Sequence, residues 1–303
     1  MADPAAPTVS DFGGEELPNG GVRLLGWRFE VSEGAIASTA QLAQLKDRLR
    51  AAAETSTTVP KLPEAVFMRN KLTVTHERTG TRFAFDAEDA LAGWLRKSLA
   101  DGAGGLTIAA AELGTWKDKV QKSGDAPTGN DWDWTYSTTY VGKNAGADGD
   151  DVSWSAHEGS SIDMAMLKRR EPILFFADLP LYTDDLHDNG VSEARVRIRV
   201  MPSCFFVLYR HFLRVDGQFI RQTDARLFCK LSGGAPLLRM RRVAQAPLPP
   251  MPTTPAEVDD AGRLVQADGM VPPATLLPDE QRAAERLAAV SPEMEVVEEV
   301  VLD

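Results

Sequence analysis

Between residues 194 and 200 apolar and basic side chains alternate: Ala194, Val196, Ile198 and Val200 interleave with Arg195, Arg197 and Arg199. A period of two is that of an extended strand with one buried face, so three arginines are expected on the opposite face. Pro202 ends this strand because it has no amide to give to a ladder. The next run, FFVLYRHFLRV (205–215), is apolar at nearly every position and reads as a central strand covered on both faces. Asp216-Gly217 suits a two-residue turn, and QFIR and ARLFC then return the chain antiparallel. A meander of at least three strands results.

Elsewhere the pattern is shorter in range. Residues 22–31 (VRLLGWRFEV) read as a strand. Leu42, Leu45 and Leu49 recur at helical spacing within 36–50, and a Ser/Thr/Pro linker follows to Leu62-Pro63-Glu64. Residues 71–76 and 81–85 alternate as strands about a turn at Glu77–Gly80. Asp86 then occupies a helix N-cap, with Asp89 at the third helical position and Leu91, Trp94, Leu95 and Leu99 as the apolar stripe. The aromatic and β-branched residues 133–141 predict a strand, 142–151 a Gly/Asp loop, and 163–170 a helix that Pro172 must stop. Ile173, Leu174, Phe175 and Phe176 read as a buried block. Residues 1–21 are Gly/Pro-rich and expected to be disordered. Eight prolines between 247 and 278 predict an extended linker without regular elements. Residues 279–290 suit a short helix, and the acidic remainder is expected to be solvated. No internal repeat is present.

Composition sharpens this picture in three ways. The 303 residues are 43% hydrophobic and 25% charged, ordinary for a globular protein, and no apolar run approaches the roughly 20 residues that span a bilayer. The first residues lack the basic start and apolar core of a signal peptide and the arginines of a transit peptide. A formal net charge of −11 argues against a nucleic-acid partner. Much of the acid is local: residues 279–303 hold Asp279, Glu280, Glu285, Glu293, Glu295, Glu298, Glu299 and Asp303 against Arg282 and Arg286. The two cysteines, Cys204 and Cys229, fall in predicted strands, read as buried thiols, and are too few for a cysteine-rich zinc site.

Candidate chemistry is sparse. Asp184, Asp185, His187 and Asp188 carry metal-ligand side chains, and a bound metal there would activate water. Adjacent residues point in different directions, however, and no second His or acid cluster has ligand spacing, so a polar loop with Asn189-Gly190 as its turn is the competing reading. Asp148-Gly149-Asp150-Asp151 lacks the ligand spacing of a calcium loop, and Gly102–Gly105 lacks the frame of a phosphate-binding loop. No nucleophile signature stands out. The arginine stripe is either an ion-paired sheet face or a contact surface for acidic side chains, which guanidinium groups hold bidentately. Trp132, Trp134, Tyr136 and Tyr140 are either core packing or interface anchors.

Five stretches together carry a resemblance: residues 184–228, LPEAVFMRNKLTVTH (62–76), FDAEDAL (85–91), DWDWTYSTTYVG (131–142) and LKRREPILFF (167–176). In their order along the chain they resemble the TOR signalling pathway regulator family, the TIPRL-like proteins, over roughly residues 22–230. Pro172 and the Gly/Asp loop depart from the pattern, and nothing beyond 243 resembles it. The resemblance implies a single α+β domain over 22–243, mainly antiparallel sheet with a few packed helices. It is flanked by the disordered N-terminus and by a largely disordered Pro-rich and acidic tail over 244–303. It also implies a non-enzymatic regulator, without cofactor, that binds the catalytic subunit of type 2A protein phosphatases, including that subunit's C-terminal tail. Inhibition or chaperoning of that subunit in TOR-linked signalling would be the outcome. A protein that is monomeric when free, in the cytoplasm and also the nucleus, with no nucleic-acid or membrane partner, completes the expectation.

Carried over residue by residue, the contact positions are Asp89, Ile162, Gln222 and Asp224, to which the stripe adds Arg197 and Arg199. Each of the four has a plainer alternative. Asp89 caps its helix, Ile162 packs at a helix start, and Gln222 and Asp224 pair at the surface with Arg221 or Arg226. At Gln222 the family-typical residue is apolar. The rival functions are a metal-dependent hydrolase built on Asp184, Asp185, His187 and Asp188, and a general scaffold recruiting partners through its tail.

Overall fold

The computed structural model describes residues 7–52, 62–92, 140–159, 162–186, 190–215, 219–232, 234–247, 257–258, 264–265 and 286–302. Its strands are β1 (Glu15–Glu16), β2 (Val22–Leu24), β3 (Trp27–Ser32), β4 (Ala65–Val66), β5 (Lys71–His76), β6 (Thr81–Asp86), β7 (Lys143–Ala145) and β8 (Ser155–Ala156). They continue with β9 (Phe175–Asp184), β10 (Gly190–Val200), β11 (Cys204–Val215), β12 (Phe219–Lys230), β13 (Leu237–Pro247), β14 (Glu257–Val258), β15 (Leu264–Val265) and β16 (Met294–Val300). One sheet runs β1-β2-β3-β5-β6-β7, a larger one β4-β9-β10-β11-β12-β13-β16-β8, and among the described residues β14 and β15 form a separate pair. Every pairing is antiparallel. The mixed, mainly antiparallel α+β architecture expected from sequence is therefore present.

The two larger sheets share one core. Trp27 and Phe29 of β3, Val74 of β5, and Phe83 and Phe85 of β6 pack into the same buried cluster as Val196 and Ile198 of β10 and Phe205, Val207 and Tyr209 of β11. Phe205 meets both Trp27 and Phe29 edge-on, at ring separations of 4.7 and 5.1 Å, and Phe85 stacks on Tyr209 at 6.4 Å. Such offset and edge contacts suit the aromatic quadrupole. Helix α1 (Thr39–Ala52) closes the cluster with Leu45 and Leu49, as its spacing predicts. Inside this core His211 bonds Ser192 Oγ at 3.0 Å, and burial, aided by the charge of Arg221, pushes its imidazole down to about 3.

Period two holds along the meander. In β10 every second residue is buried, with the arginines between, and β11 alternates likewise from Phe205 onward. β11 is central, between β10 and β12, but it is not buried on both faces. Phe206, Leu208, Arg210 and Phe212 are half-buried on the outer face, which corrects the sequence reading. Apolar side chains appear on both faces because segments at either end of the sheet lie over its outer side: Ile162 and Met166 near Phe206, and Leu287 near Phe212.

Other expectations change for local reasons. Residues 22–31 form a hairpin, not one strand, because Leu25 and Gly26 both take positive φ (50° and 81°), the signature of a primed turn. Residues 163–170 form only the 3-10 turn Met166–Lys168, where the Asp163 carboxylate accepts the Ala165 amide at 2.9 Å and competes with helix formation. Ile173 and Phe176 are 49% and 55% exposed, not a buried block, because Phe176 lies on the outer face beside Arg199. Lys143–Ala145 of the Gly/Asp loop pair with β6. Within residues 7–21, expected to be disordered, Val9–Phe12 form a 3-10 turn with Val9 buried. The Pro-rich stretch holds the β14–β15 pair. The acidic end is only partly solvated, since Met294–Val300 pairs with β13 on one side and, at Glu298 and Glu299, with β8 on the other. Trp94, Leu95, Leu99, residues 133–139, the turn at 216–217 and residues 279–285 lie outside the described residues.

The alternation yields a direct test. Phe205→Ala removes a fully buried ring and should cost about 3–5 kcal/mol, whereas Leu208→Ala on the half-buried face should cost less than half of that. Urea unfolding of both variants measures the difference.

Candidate functional site

The outer face of the large sheet brings together most of the contact positions expected from sequence: Arg197, Arg199, Gln222 and Asp224. The ladder β9–β13 fixes which side chains meet there: Arg197 lies opposite Asp178 and Leu208, Arg210 opposite Asp224, and Phe212 opposite Gln222. Arg195 and Arg197 share the Asp178 carboxylate, each at 2.9 Å, and Arg195 also bonds Glu193. Glu193, Arg195, Arg197, Leu208, Arg210 and Phe212 line a shallow pocket. The stripe is thus ion-paired and still partly open: the Arg195 and Arg197 side chains keep 30% and 29% of their exposure. Arg199 lies beyond them, opposite Phe176 on one side and Phe206 on the other.

Asp224 is the electrostatic centre of this face. It is 1% exposed, receives two hydrogen bonds from Arg210 at 2.8 and 3.0 Å and one from Arg226 at 2.7 Å, and accepts the Gln222 amide at 3.1 Å. Burial alone would raise its carboxyl; the hydrogen bonds and charge of Arg210, joined by Arg226, outweigh this and hold it below the ordinary carboxylate range. The pairing with Arg226 matches one of the plainer alternatives, but in a buried network and not at the surface. Gln222 is buried as well, so both act by positioning the arginines.

The remaining positions lie apart. Ile162 is buried with Met166, Met201, Cys204, Phe228, Leu238 and Met240, closing one end of the outer face. Asp89 lies in an open groove of about 460 Å³ lined by Ser32, Met68, Arg69, Lys71, Asp86 and Glu88, which shares no residue with the arginine pocket. The helix cap there is Asp86, whose carboxylate accepts the Asp89 amide at 2.9 Å. The Asp89 carboxyl is raised by its burial and then by the charge of Asp86, while Lys143 stands 3.7 Å away. Its carboxylate is therefore free of capping duty and faces the groove.

In the Asp184 cluster, both Asp184 oxygens accept backbone amides, from Glu64 at 3.0 Å and Leu186 at 2.7 Å, which braces the loop. His187 and Asp188 lie outside the described residues. Among the described residues no group of three His, Cys, Asp or Glu is placed to hold a metal ion. Cys204 and Cys229 are free and buried, and burial pushes the Cys229 thiol up to about 12.

Asp178, Leu208, Arg210 and Phe212 were not singled out from sequence. Arg210, Leu208 and Phe212 share one parity in β11, a signal that was available; Asp178 needs the β9–β10 register, which a bulge at Ala194/Arg195 shifts. Asp224→Asn should destabilise by about 3–5 kcal/mol, because two half-buried guanidinium groups lose their counter-charge. A carboxyl depressed in the fold stabilises fully above the unfolded value near 3.9 and loses that contribution as pH falls through the folded value. The deficit of the variant should therefore shrink below about pH 4, measured by urea unfolding against pH.

The profile of the TIP41-like family matches residues 65–246, which contain the β9–β13 ladder up to Ala246. The TIP41-like protein of Arabidopsis thaliana is 34% identical over 234 residues, covering 72% of this chain and 75% of the relative. The TIP41-like protein of Homo sapiens is 37% identical over 204 residues, covering 67% and 68%. The type 2A phosphatase activator TIP41 of Saccharomyces cerevisiae is 28% identical over 180 residues, covering 55% and 48%. The chain thus belongs to the TIP41-like family, the TIPRL-like group that its motifs resemble.

Proposed function

We propose that this protein is a non-enzymatic regulator that binds the catalytic subunit of type 2A protein phosphatases through the outer face of its large sheet. One observation carries the reading. The same face holds half-buried arginines around a buried carboxylate, next to half-buried Leu208 and Phe212 and to Phe176, which is 55% exposed. Arginine and aromatic side chains together are the composition of an interface centre. The family adds support, since its budding- and fission-yeast relatives carry the name type 2A phosphatase activator. That name weighs against reading inhibition into the contact, and modulation is the broader reading. The charge pattern suits an acidic segment of the phosphatase, for which its C-terminal tail is our candidate. We further place the protein in TOR-linked signalling, as a monomer when free, in the cytoplasm and also in the nucleus.

Calorimetric titration with purified type 2A catalytic subunit tests this. The protein should bind one-to-one. Phe176→Asp combined with Arg199→Glu, which changes two outer-face neighbours, should weaken binding at least about tenfold while the melting transition holds. Absence of binding by the folded protein, or a variant that binds equally well, contradicts the reading.

A further inference from the structure

The outer face is occupied at its β12–β13 end by the chain's own C-terminal segment. Leu287, on a helical turn at residues 286–288, is 1% exposed and packs with Ile220, Ala244 and Ala246, with Phe212 and Val290 at the margin. This ground is continuous with the arginine pocket. Phe212 belongs to both, and Gln222 lies in register between Phe212 and Ala244.

From there the chain runs onto the edge of β13. The Glu293 amide bonds the Val243 carbonyl at 2.8 Å, and β16 pairs with β13 over its whole length. Its carboxylates meet the β13 arginines: Glu295 with Arg242 at 3.3 Å, and Glu298 with Arg239 at 2.9 Å and Arg241 at 3.3 Å. Arg239 is also stacked 4.0 Å over Trp154. Arg242 in turn lies opposite Asp224, so Glu295 ends the same row of charges that organises the pocket.

The segment therefore has the form of a ligand: an apolar anchor followed by spaced carboxylates, added as a strand to an open sheet edge. Its start is held lightly: Met294, Glu295 and Val296 are exposed, and a partly exposed ion pair such as Glu295–Arg242 contributes little. Its end is anchored, because Glu298 and Glu299 also pair with β8 and Glu299 meets His157. Residues 286–300 also lie outside the 65–246 family match.

We propose that residues 286–296 are a built-in competitor for the partner surface. They cover its β12–β13 half in the free protein, and a phosphatase segment of the same chemistry, apolar and then acidic, displaces them on binding. This rests on the phosphatase-binding reading. A surface that is open only part of the time binds with an affinity reduced by the open fraction.

The test uses the full chain. Val243 and Met294 are cross-strand partners, so a Val243→Cys/Met294→Cys variant locks the segment when oxidised and frees it when reduced. Titrated with the type 2A catalytic subunit, the oxidised form should bind at least about tenfold more weakly than the reduced form. Leu287→Asp, which removes the anchor, should bind roughly tenfold more tightly than the unaltered protein. Equal affinity of oxidised and reduced forms, with the unaltered protein binding, overturns the competitor whatever Leu287→Asp does. Failure of every form to bind, the unaltered protein included, overturns the phosphatase reading and the competitor with it.

Discussion

The rest of the structure depends on the seating of the inner face of β11 against the smaller sheet. Phe205, Val207 and Tyr209 are fully buried there, with Phe205 against Trp27 and Phe29 and Tyr209 against Phe85. A strand has only two faces, so this contact sends Phe206, Leu208, Arg210 and Phe212 to the other side. β10 and β12 are locked to β11 by continuous ladders, β13 to β12 by another, and β9 to β10 by a ladder with one bulge, so their parity follows from β11. A slip of one residue would bury the arginines and expose the aromatic core, a difference of many kcal/mol that makes the register unique.

Electrostatics then organises the exposed side. A carboxylate as buried as Asp224 is tolerable only with its hydrogen-bonding capacity filled, and Arg210, Arg226 and Gln222 fill it. The gain is geometric more than energetic: guanidinium groups that would sweep many rotamers are held in fixed places. Asp178 does the same for Arg195 and Arg197. The face is thereby charged, ordered and shallow, the properties a protein partner reads, and it lies within the region that places the chain in the TIP41-like family. The same charge logic extends to β13, where Arg239, Arg241 and Arg242 receive the carboxylates of β16.

What was legible in the sequence was local. The β10 alternation, the β5–β6 hairpin, the Asp86 cap and the Leu45/Leu49 stripe each rest on contacts between residues close in the chain or on a periodicity visible without a partner. The family was legible for a different reason, since its motifs are long and lie in order. Non-local pairings were not legible. Asp178 meets Arg197 only through a bulged register, and Arg210 meets Asp224 only once the β11–β12 register is set. The acidic end reads as solvated by composition, and it becomes a strand only because β13 presents an open edge lined with arginines. Phe176 reads as core by hydropathy, yet it falls on an open part of the outer face, where it is 55% exposed. Among the transferred positions, Asp224 and Gln222 reach the site as positioning groups, whereas Asp89 lies in a separate groove.

The central claim is that the outer face of the large sheet meets the phosphatase. Photo-crosslinking measures it most directly, with a photoreactive residue at position 208 on that face or at position 25, an exposed turn of the smaller sheet. The account predicts a crosslink to the type 2A catalytic subunit from position 208 and none from position 25. A crosslink from position 25 with none from position 208 would contradict it.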